Sequence, residues 1–276
     1  RSSWVTGVQT CALPICFIRK ALKEAGLEQI PVISINTVGL ESNPGFKITP
    51  QMANRIAVAA VYGDLFQRVL YATRPYEEEA GATDALYQMW RRKVRNSIIH
   101  PRPSAFKRNV REIVSQFDAL PRIEKTIPKV GVVGEILVKY HPTANNNLVQ
   151  VLEDEGVEVV VPDIIDFFLY CSYNAIYKHD VLSGKASAKR NGKLIIRVIE
   201  MYRKNMKRAL IKSRHFGPPS TIYKKAQKAT ELISLGNQGG EGWFLTAEMM
   251  ELIEGGVENI VCVQPFACLQ IGRAHV

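Results

Sequence analysis

The most constraining feature of the sequence is a strand–helix–strand pattern in residues 129–162. Residues 129–136 are a valine-rich run, residues 137–146 are polar, and residues 147–155 have a helical pattern that Gly156 closes. Residues 157–162 form a second valine-rich run. Strands joined through a helix at this spacing lie parallel. We therefore predict an α/β fold with a doubly wound, mostly parallel sheet and helical insertions.

The remaining elements follow from hydrophobic periodicity and from turn residues. Two more strands are predicted over residues 30–36 and 259–263. Helices are predicted over residues 50–72, 83–98, 104–120, 164–177, 193–212, 221–235 and 243–254. The proline-containing stretch 121–128 suggests a boundary. We predict one region over residues 17–128, α/β with a helical connecting lobe, and an α/β domain over residues 129–269 with a basic helical insertion at about 181–235.

Both ends of the chain have the sequence of translated sequencing adapters. Residues 5–15, VTGVQTCALPI, match one library adapter, and residues 271–276, IGRAHV, match the other. Segments of this origin are excluded from fold reasoning. We therefore expect residues 1–16 and 270–276 to be adapter-derived, and residues 17–269 to be the middle of a longer protein.

Composition narrows the class of protein. With 46% hydrophobic and 22% charged residues the chain is typical of globular proteins. No apolar run reaches the roughly 18 residues of a membrane span, so no membrane association is expected. Without Cys11 and Cys16, in and next to the adapter match, three cysteines remain, namely Cys171, Cys262 and Cys268. Few thiols in odd number favour a reducing compartment, and the cytoplasm is the expected location.

The loop after the first predicted strand is one candidate site, because open α/β sheets bind ligands at the carboxyl ends of their strands. Lys139, His141 and Thr143 lie in this loop and are candidates for contact with an anionic or carbonyl-bearing ligand, with Lys139 and His141 as catalytic candidates. The neighbouring asparagines could cap the following helix. The alternative, that the whole loop only turns and caps, stays open.

A glycine-rich loop over residues 236–242 is a second candidate. Its backbone N–H groups could bind phosphate, with Gly240 and Gly242 as cofactor-binding candidates. Glu241 is a catalytic or polar-contact candidate, and Trp243 could stack on a ligand. The loop matches neither the Walker A pattern nor the dinucleotide pattern, so a tight loop built for close packing is the alternative.

Cysteines near the last predicted strand are the third candidate. Cys268 follows the strand and could present a thiolate to a metal or an iron–sulfur cluster. Cys262 lies within the strand, where cysteine usually behaves as a small buried hydrophobe, and is the weaker metal candidate. Gln264 between them is a cofactor-binding candidate. Cys171, in an aromatic helix, is expected in the core.

Positive charge is concentrated in residues 181–230, where fourteen Lys or Arg residues accompany one acid, Glu200. A solvated helix face is the simplest interpretation. A docking face for partner domains or for coenzyme phosphates is another. Nucleic-acid binding, with Tyr202 and Tyr223 beside the charges, is the least favoured because no recognition motif is present.

Several strings taken in order resemble one family. They are NPGFKIT (43–49), VYGDL (61–65), GEILVKYHPTANN (134–146), DFFLYC (166–171), GNQ (236–238), GEGWFLT (240–246) and VQPFACL (263–269). Together they resemble the large acyl-CoA dehydratase activase-related proteins, in their C-terminal region similar to 2-hydroxyglutaryl-CoA dehydratase subunits. The resemblance covers nearly all of residues 17–269. Gly239 departs from the expected pattern, which leaves no specific role for that position.

The resemblance implies an oxygen-sensitive iron–sulfur protein of anaerobic bacteria, in which ATP hydrolysis drives low-potential electron transfer. Cys268 maps onto one cluster cysteine, and the other ligands would lie upstream of this chain. Lys139, His141, Glu241 and Gln264 would then surround the cluster or the substrate. ATP would act only through ATPase domains outside the chain, which are its expected partners. An acyl-CoA substrate and a homodimer are further expectations, and the isolated chain is expected to be inactive.

Overall fold

The computed structural model describes residues 17–32 and 48–264. The predicted adapter segments, Cys268 and most of the predicted strand at 30–36 lie outside the described residues. Residues 30–32, which are described, are not in a strand. One compact unit ends at Ala53 and a second begins at Asn54.

A three-stranded parallel sheet lies in the second unit. Its strands are β1 (Lys129–Gly134), β2 (Glu158–Val160) and β3 (Asn259–Val263), in the order β2-β1-β3. Val130 of the central strand is in register with Val159 on one side and Asn259 on the other. The prediction of an α/β fold with a parallel, doubly wound sheet and helical insertions is confirmed.

Most of the described helices lie close to their predicted positions, but those at residues 17–24 and 136–140 were not predicted, and the helix at 186–210 begins seven residues earlier than predicted. They are α1 (residues 17–24), α2 (Pro50–Tyr71), α3 (Ala82–Ile99), α4 (Pro103–Asp118), α5 (Ile136–Tyr140), α6 (Leu148–Asp154), α7 (Ile164–Val181), α8 (Ala186–Leu210), α9 (Ile222–Ala229) and α10 (Gly242–Glu254), with 3-10 helices at Arg74–Tyr76 and Gly239–Glu241. Thr49 accepts a hydrogen bond from the Met52 N–H at 3.2 Å, the predicted cap of α2. Over the described ranges, every helix is too short or too polar to cross a membrane.

Side-chain alternation along β1 explains why helices cover both faces of the sheet. Val132 packs with Val159 and with residues of α5 and α6, whereas Val133 packs with Leu245 and Leu252 of α10. Successive side chains of a strand point to opposite faces, so two adjacent valines anchor two helical layers.

A larger core joins the helices before β1 to those after it. Buried residues of α2, α3 and α4 share one cluster with α7, α8, α9 and α10. Helix α4, for example, presents to this cluster an apolar face that includes Val110, Ile113 and Phe117. The predicted boundary between residues 128 and 129 therefore does not separate two compact units.

The described part of residues 17–128 contains helices and one isolated bridge, Glu77 with Arg122. Most of the strand predicted for this region lies outside the described residues, so the α/β character of residues 17–128 stays a prediction. Among the described residues the sheet is built from β1 onwards, and the earlier helices pack against the helices that follow it.

Candidate functional site

The chain reverses its direction across the sheet at β1. From β1 it crosses to β2 on one side, and from β2 it returns past β1 to β3 on the other. In open α/β sheets, the crevice at such a reversal, outside the carboxyl ends of the strands, is the usual ligand site. Gly134 and Val263, the paired last residues of β1 and β3, lie at this end of the sheet.

Gly134 lets these two strand ends approach closely. Its φ is 135°, and a Cβ atom there would overlap the carbonyl oxygen of Val263. The next residue, Glu135, donates its backbone N–H to that oxygen at 3.1 Å. The main chains at this edge therefore touch directly, which only glycine permits.

Helix α5 was not predicted in the loop after β1. The Glu135 carboxylate caps it by accepting the Val138 N–H at 3.1 Å. Asn145 donates to the Val138 carbonyl at 2.8 Å and accepts the Leu148 N–H, the first turn of α6, at 3.1 Å. The predicted capping role of the asparagines is confirmed for Asn145.

Lys139 of α5 is buried and its ammonium already has a partner. Its Nζ lies 2.8 and 2.9 Å from the two carboxylate oxygens of Glu248 in α10, which is also buried. The Tyr140 ring centroid is 4.9 Å from the same Nζ. The pKa of Glu248 is above its ordinary value, because burial raises it by more than the nearby Lys139 lowers it. Contact of Lys139 with a ligand stays a prediction, and it would have to compete with this ion pair.

A cavity of about 270 Å³ lies beside the loop, between α2 and α6. Gln67, Lys139, Tyr140, Asn145 and Gln150 are among the residues that line it. His141 and Thr143 are exposed and do not line it. The structure thus brings Lys139 to a cavity and leaves the other two candidates in solvent.

The glycine loop is packed tightly against its own backbone. The Asn237 carbonyl accepts the Trp243 N–H at 2.8 Å, and a Cβ on Gly242 would overlap that carbonyl. Trp243 is fully buried, donates to Asn174 at 2.9 Å and meets the Tyr170 ring edge-to-face. The ring of Trp243 is therefore in the core, and the expected stacking on a ligand is wrong.

Two other residues of this loop have left-handed backbone, Gly240 with φ 54° and Glu241 with φ 60°. The side-chain nitrogen of Gln238 is buried and has no hydrogen-bond acceptor among the described residues. Because α10 runs back to β3 through a short turn, this loop lies at the same edge of the sheet as Lys139. Its role as a phosphate site stays a prediction.

Replacing Gly242 with alanine is expected to lower the free energy of unfolding by about 1–3 kcal/mol, because the added methyl group meets the Asn237 carbonyl. The matched control is Gly239→Ala, since nothing lies within 4 Å of a Cβ there. Urea denaturation of both variants measures the difference. Equal midpoints for the two variants would contradict close packing as the reason for Gly242.

The last strand places its cysteine differently from the prediction. Among the described strands β3 lies at an edge of the sheet, and Cys262 is exposed rather than buried. The Gln264 Nε2 lies 3.7 Å from the Cys262 sulfur, and the Gln264 Oε1 is buried without a hydrogen-bond donor among the described residues. Cys171 is also exposed, so its expected place in the core is wrong. An edge strand has a neighbour on one side only, which explains the exposure of Cys262.

A buried network of charges was missed by the sequence analysis. Arg203 is fully buried and donates to Asp163 and Asp166 of the α7 N-terminus, both at 2.9 Å. Lys225 of α9 lies 3.2 Å from Asp166 and also pairs with Glu251. These contacts tie α7, α8, α9 and α10 together.

Asp64 and Arg68 of α2 complete the network. Arg68 pairs with Asp163 at 2.5 Å, and the Asp64 carboxylate accepts the N–H groups of Ile164 and Ile165 at the start of α7. Burial and the nearby Asp163 and Asp166 raise the pKa of Asp64 well above its usual range. The three cations Arg68, Arg203 and Lys225 therefore match the three carboxylates of Asp163, Asp166 and Glu251 in number.

The sequence does carry a signal for this network. Arg203 lies seven residues after Ile196 and three before Met206, so it falls on the apolar face of α8. Lys225 follows Ile222 by three residues on the buried face of α9. A cation on an apolar helix face indicates a buried counterion rather than a solvated charge.

The described residues do not contain a cluster of metal-binding side chains. Within residues 17–32 and 48–264, no three His, Cys, Asp or Glu residues are grouped to hold a metal ion. No family model, curated protein or solved structure matches the chain. The features that bear on function are therefore the carboxyl edge of the sheet and the outer helices.

The outer helices carry cations without partners. A cavity of about 410 Å³ between α4 and α8 is lined by Lys107, Arg111, Arg208 and Lys212, and none of them has an ion-pair partner in the described part of the chain. The tyrosines considered for nucleic-acid stacking are engaged elsewhere. Tyr202 donates to Asn54 at 2.6 Å, and Tyr223 meets Tyr173 edge-to-face.

Proposed function

We propose that this chain forms one side of an iron–sulfur site in an ATP-dependent acyl-CoA dehydratase activase or reductase. The observation that carries the proposal is the course of β3, which ends at the topological switch point directly beside the end of β1. The chain leaves that point at Gln264, four residues before Cys268. A thiolate from this segment would therefore start at the edge of the sheet where such folds bind ligands.

Two polar side chains at this edge support the proposal. The Gln264 Oε1, which is buried and has no hydrogen-bond donor within the described part of the chain, and the exposed thiol of Cys262 are polar groups next to the switch point. An iron–sulfur cluster takes thiolate ligands, usually four, and the described residues supply one thiol here. The remaining ligands must come from Cys268 and from the parent protein. No step of electron transfer is derived from this chain alone.

The other parts of the proposal follow from the same assignment. Thiolate-held clusters are stable in a reducing compartment, so we place the protein in the cytoplasm. ATP would be bound by further domains of the parent protein, which are the proposed partners. An acyl-CoA would be the substrate of the dehydratase, with Lys139, His141 and Glu241 as the nearest candidates for contact with it.

Replacing Cys268 with alanine is expected to remove most of the iron and acid-labile sulfide from the full-length polypeptide of the intact gene, purified without air. A cluster loses its position when a thiolate ligand is lost. The measurements are iron and sulfide content and the electron paramagnetic resonance spectrum of the reduced protein. Thermal melting of the variant shows whether the fold is kept.

Cys171→Ala is the matched control, because this thiol is exposed and lies on α7 rather than next to the switch point. It should keep the iron content of the wild type, and Cys262→Ala tests separately whether the weaker candidate is also a ligand. A wild type free of iron would end the proposal. Equal iron in the wild type and in a folded Cys268→Ala variant would remove Cys268 from the site.

A second candidate is favoured by the cations of α4 and α8 that have no ion-pair partner among the described residues. In this function the chain is a non-catalytic module that docks partner domains or coenzyme phosphates through its basic helices. Four cations around one cavity with no acid among its lining residues make a region of positive potential. Binding through these cations should weaken as the salt concentration rises.

A further inference from the structure

The outward face of α8 carries an apolar stripe. Leu194, Val198 and Met201 are spaced i, i+4 and i+7, so they lie on one line along the helix. Their exposed fractions are 59%, 41% and 61%. The opposite face of α8, with Ile196, Arg203 and Met206, packs into the core. A row of large exposed apolar side chains at this spacing is typical of the seam between two helices.

A row of cations runs beside the stripe. Lys193, Arg197 and Lys204 lie at i, i+4 and i+11, each next to an apolar residue of the stripe, and all are exposed. Arg190 and Arg208 stand at its ends. Among the described residues none of these five has an ion-pair partner. From residue 190 to residue 208 the surface is about 27 Å long at 1.5 Å per residue.

The single acid of the basic segment does not neutralise this row. Glu200 pairs with Arg203 at 3.4 Å and with Lys207 at 2.7 Å, on the side of α8 that turns towards the core. The cationic cavity with Lys107 and Arg111 of α4 continues the positive surface beyond Arg208. The outer surface therefore combines an apolar line with positive charge alone.

We infer that this surface of α8 binds an acidic amphipathic helix of a partner protein. Heptad pairing places apolar residues in the seam and charged residues at its flanks, so the complementary helix carries Leu-like residues in its seam and Glu or Asp at its edge. A second copy of this chain is disfavoured, because its own face would bring cations against cations. A nucleic acid would use the cations but not the apolar line.

This inference deepens the second candidate function and does not depend on the cluster. It names the class of partner that the basic helices would dock. The docking function and the helical nature of the partner can fail separately, so the experiment needs probes that differ only in the order of their residues.

The probe is a synthetic peptide of about 21 residues, three heptads, with Leu at the seam positions and Glu at the flanks. Its control has the same composition in scrambled order. A DNA duplex of about 20 base pairs and vesicles of anionic phospholipid are the further controls. Fluorescence anisotropy gives each dissociation constant at low and at physiological salt, and light scattering serves for vesicles.

Two double variants separate apolar from electrostatic binding. Leu194→Ser/Met201→Ser should raise the dissociation constant for the ordered peptide about tenfold or more, since both seam side chains are lost. Arg197→Glu/Lys204→Glu should raise it at least as much and reduce its salt dependence. Arg92→Glu/Arg95→Glu on α3, where both side chains are exposed, should change it by less than about twofold. Circular dichroism checks that all variants stay folded.

Tight, salt-sensitive binding of the ordered peptide alone, with losses in both α8 variants, supports the inference. Equal binding of the scrambled peptide would overturn the inference that the partner is a helix. Stronger binding of DNA or vesicles, unchanged in the serine variant, would do the same. Either result would still be consistent with docking of an anionic partner. No salt-sensitive binding of any probe overturns the docking function as well. None of these results bears on the iron content, which remains the test of the cluster.

Discussion

Replacing Arg203 with methionine is expected to lower the free energy of unfolding by about 3–5 kcal/mol. The change keeps an unbranched apolar stem but leaves the carboxylates of Asp163 and Asp166 buried without the cation that both contact. A buried charge that loses its partner keeps its desolvation penalty. Urea denaturation should show a lower midpoint with an unchanged slope.

The loss should depend on pH in a defined direction. Burial raises the pKa of Asp166, but nearby cations, Lys225 and Arg203 above all, lower it by more than burial raises it. The native pKa of Asp166 is therefore below the ordinary value. Such a group stabilises the fold above the unfolded pKa, and this contribution disappears as pH falls through the native pKa. The gap between wild type and Arg203→Met should therefore be largest near neutral pH and smaller in acid.

Arg197→Met is the matched control, because Arg197 is on the same helix, exposed and without an ion pair in the described part of the chain. It should change stability by no more than about 0.5 kcal/mol. A loss at Arg203 as small as that at Arg197 would mean that the carboxylates are hydrated in solution, and would contradict the buried network.

Breaking the ion pair between Lys139 and Glu248 is the second large effect we expect. Lys139→Met should cost about 3–5 kcal/mol, because the Glu248 carboxylate is left buried without the ammonium that pairs with it. The double variant Lys139→Met/Glu248→Met should recover most of that loss, since apolar side chains of similar size replace both charges. The double-mutant cycle, measured by urea denaturation, gives the coupling energy.

This cycle also separates structure from chemistry at the carboxyl edge. A stable double variant of the full-length protein that keeps its iron and its activity would show that Lys139 acts only in the fold. Retained stability with lost activity would assign it contact with the substrate. A double variant no more stable than Lys139→Met would contradict the ion pair as the source of the loss.

Strands and long helices could be predicted because their signals are local. The valine-rich runs around β1 and β2 and the helical spacing of α2, α4 and α10 are repeated over enough residues to indicate each element. Helix α5 has five residues, and it depends on the cap from Glu135 and on the burial of Lys139. Tertiary contacts of this kind leave no periodic pattern in the sequence.

The candidate site was harder to predict because burial depends on neighbours distant in sequence. Cys262 was expected to be buried as part of a strand, yet it is exposed on β3, an edge strand among those that the structure describes. Trp243 beside the glycines was expected to meet a ligand, but Tyr170 and Asn174 of α7 enclose it. Arg203 and Lys225 belong to a run that is basic in sequence, although in the fold they neutralise buried carboxylates.

The prolines of the stretch 121–128 suggest a boundary. The hydrophobic faces on either side of it nevertheless join in one cluster, with Phe117 of α4 and Leu210 of α8 both buried there. Turn residues indicate where the chain changes direction, and they do not indicate which faces meet afterwards.

The strand order has a consequence for how the protein forms during synthesis. β1 pairs with β2 after a short crossover, but its other edge pairs with β3, which leaves the ribosome only after α7, α8, α9 and α10. Until then the open edge of β1 is an unpaired template of the kind that invites aggregation. Because many residues are synthesised between the two pairings, we expect this edge of β1 to be where a chaperone would protect the nascent chain.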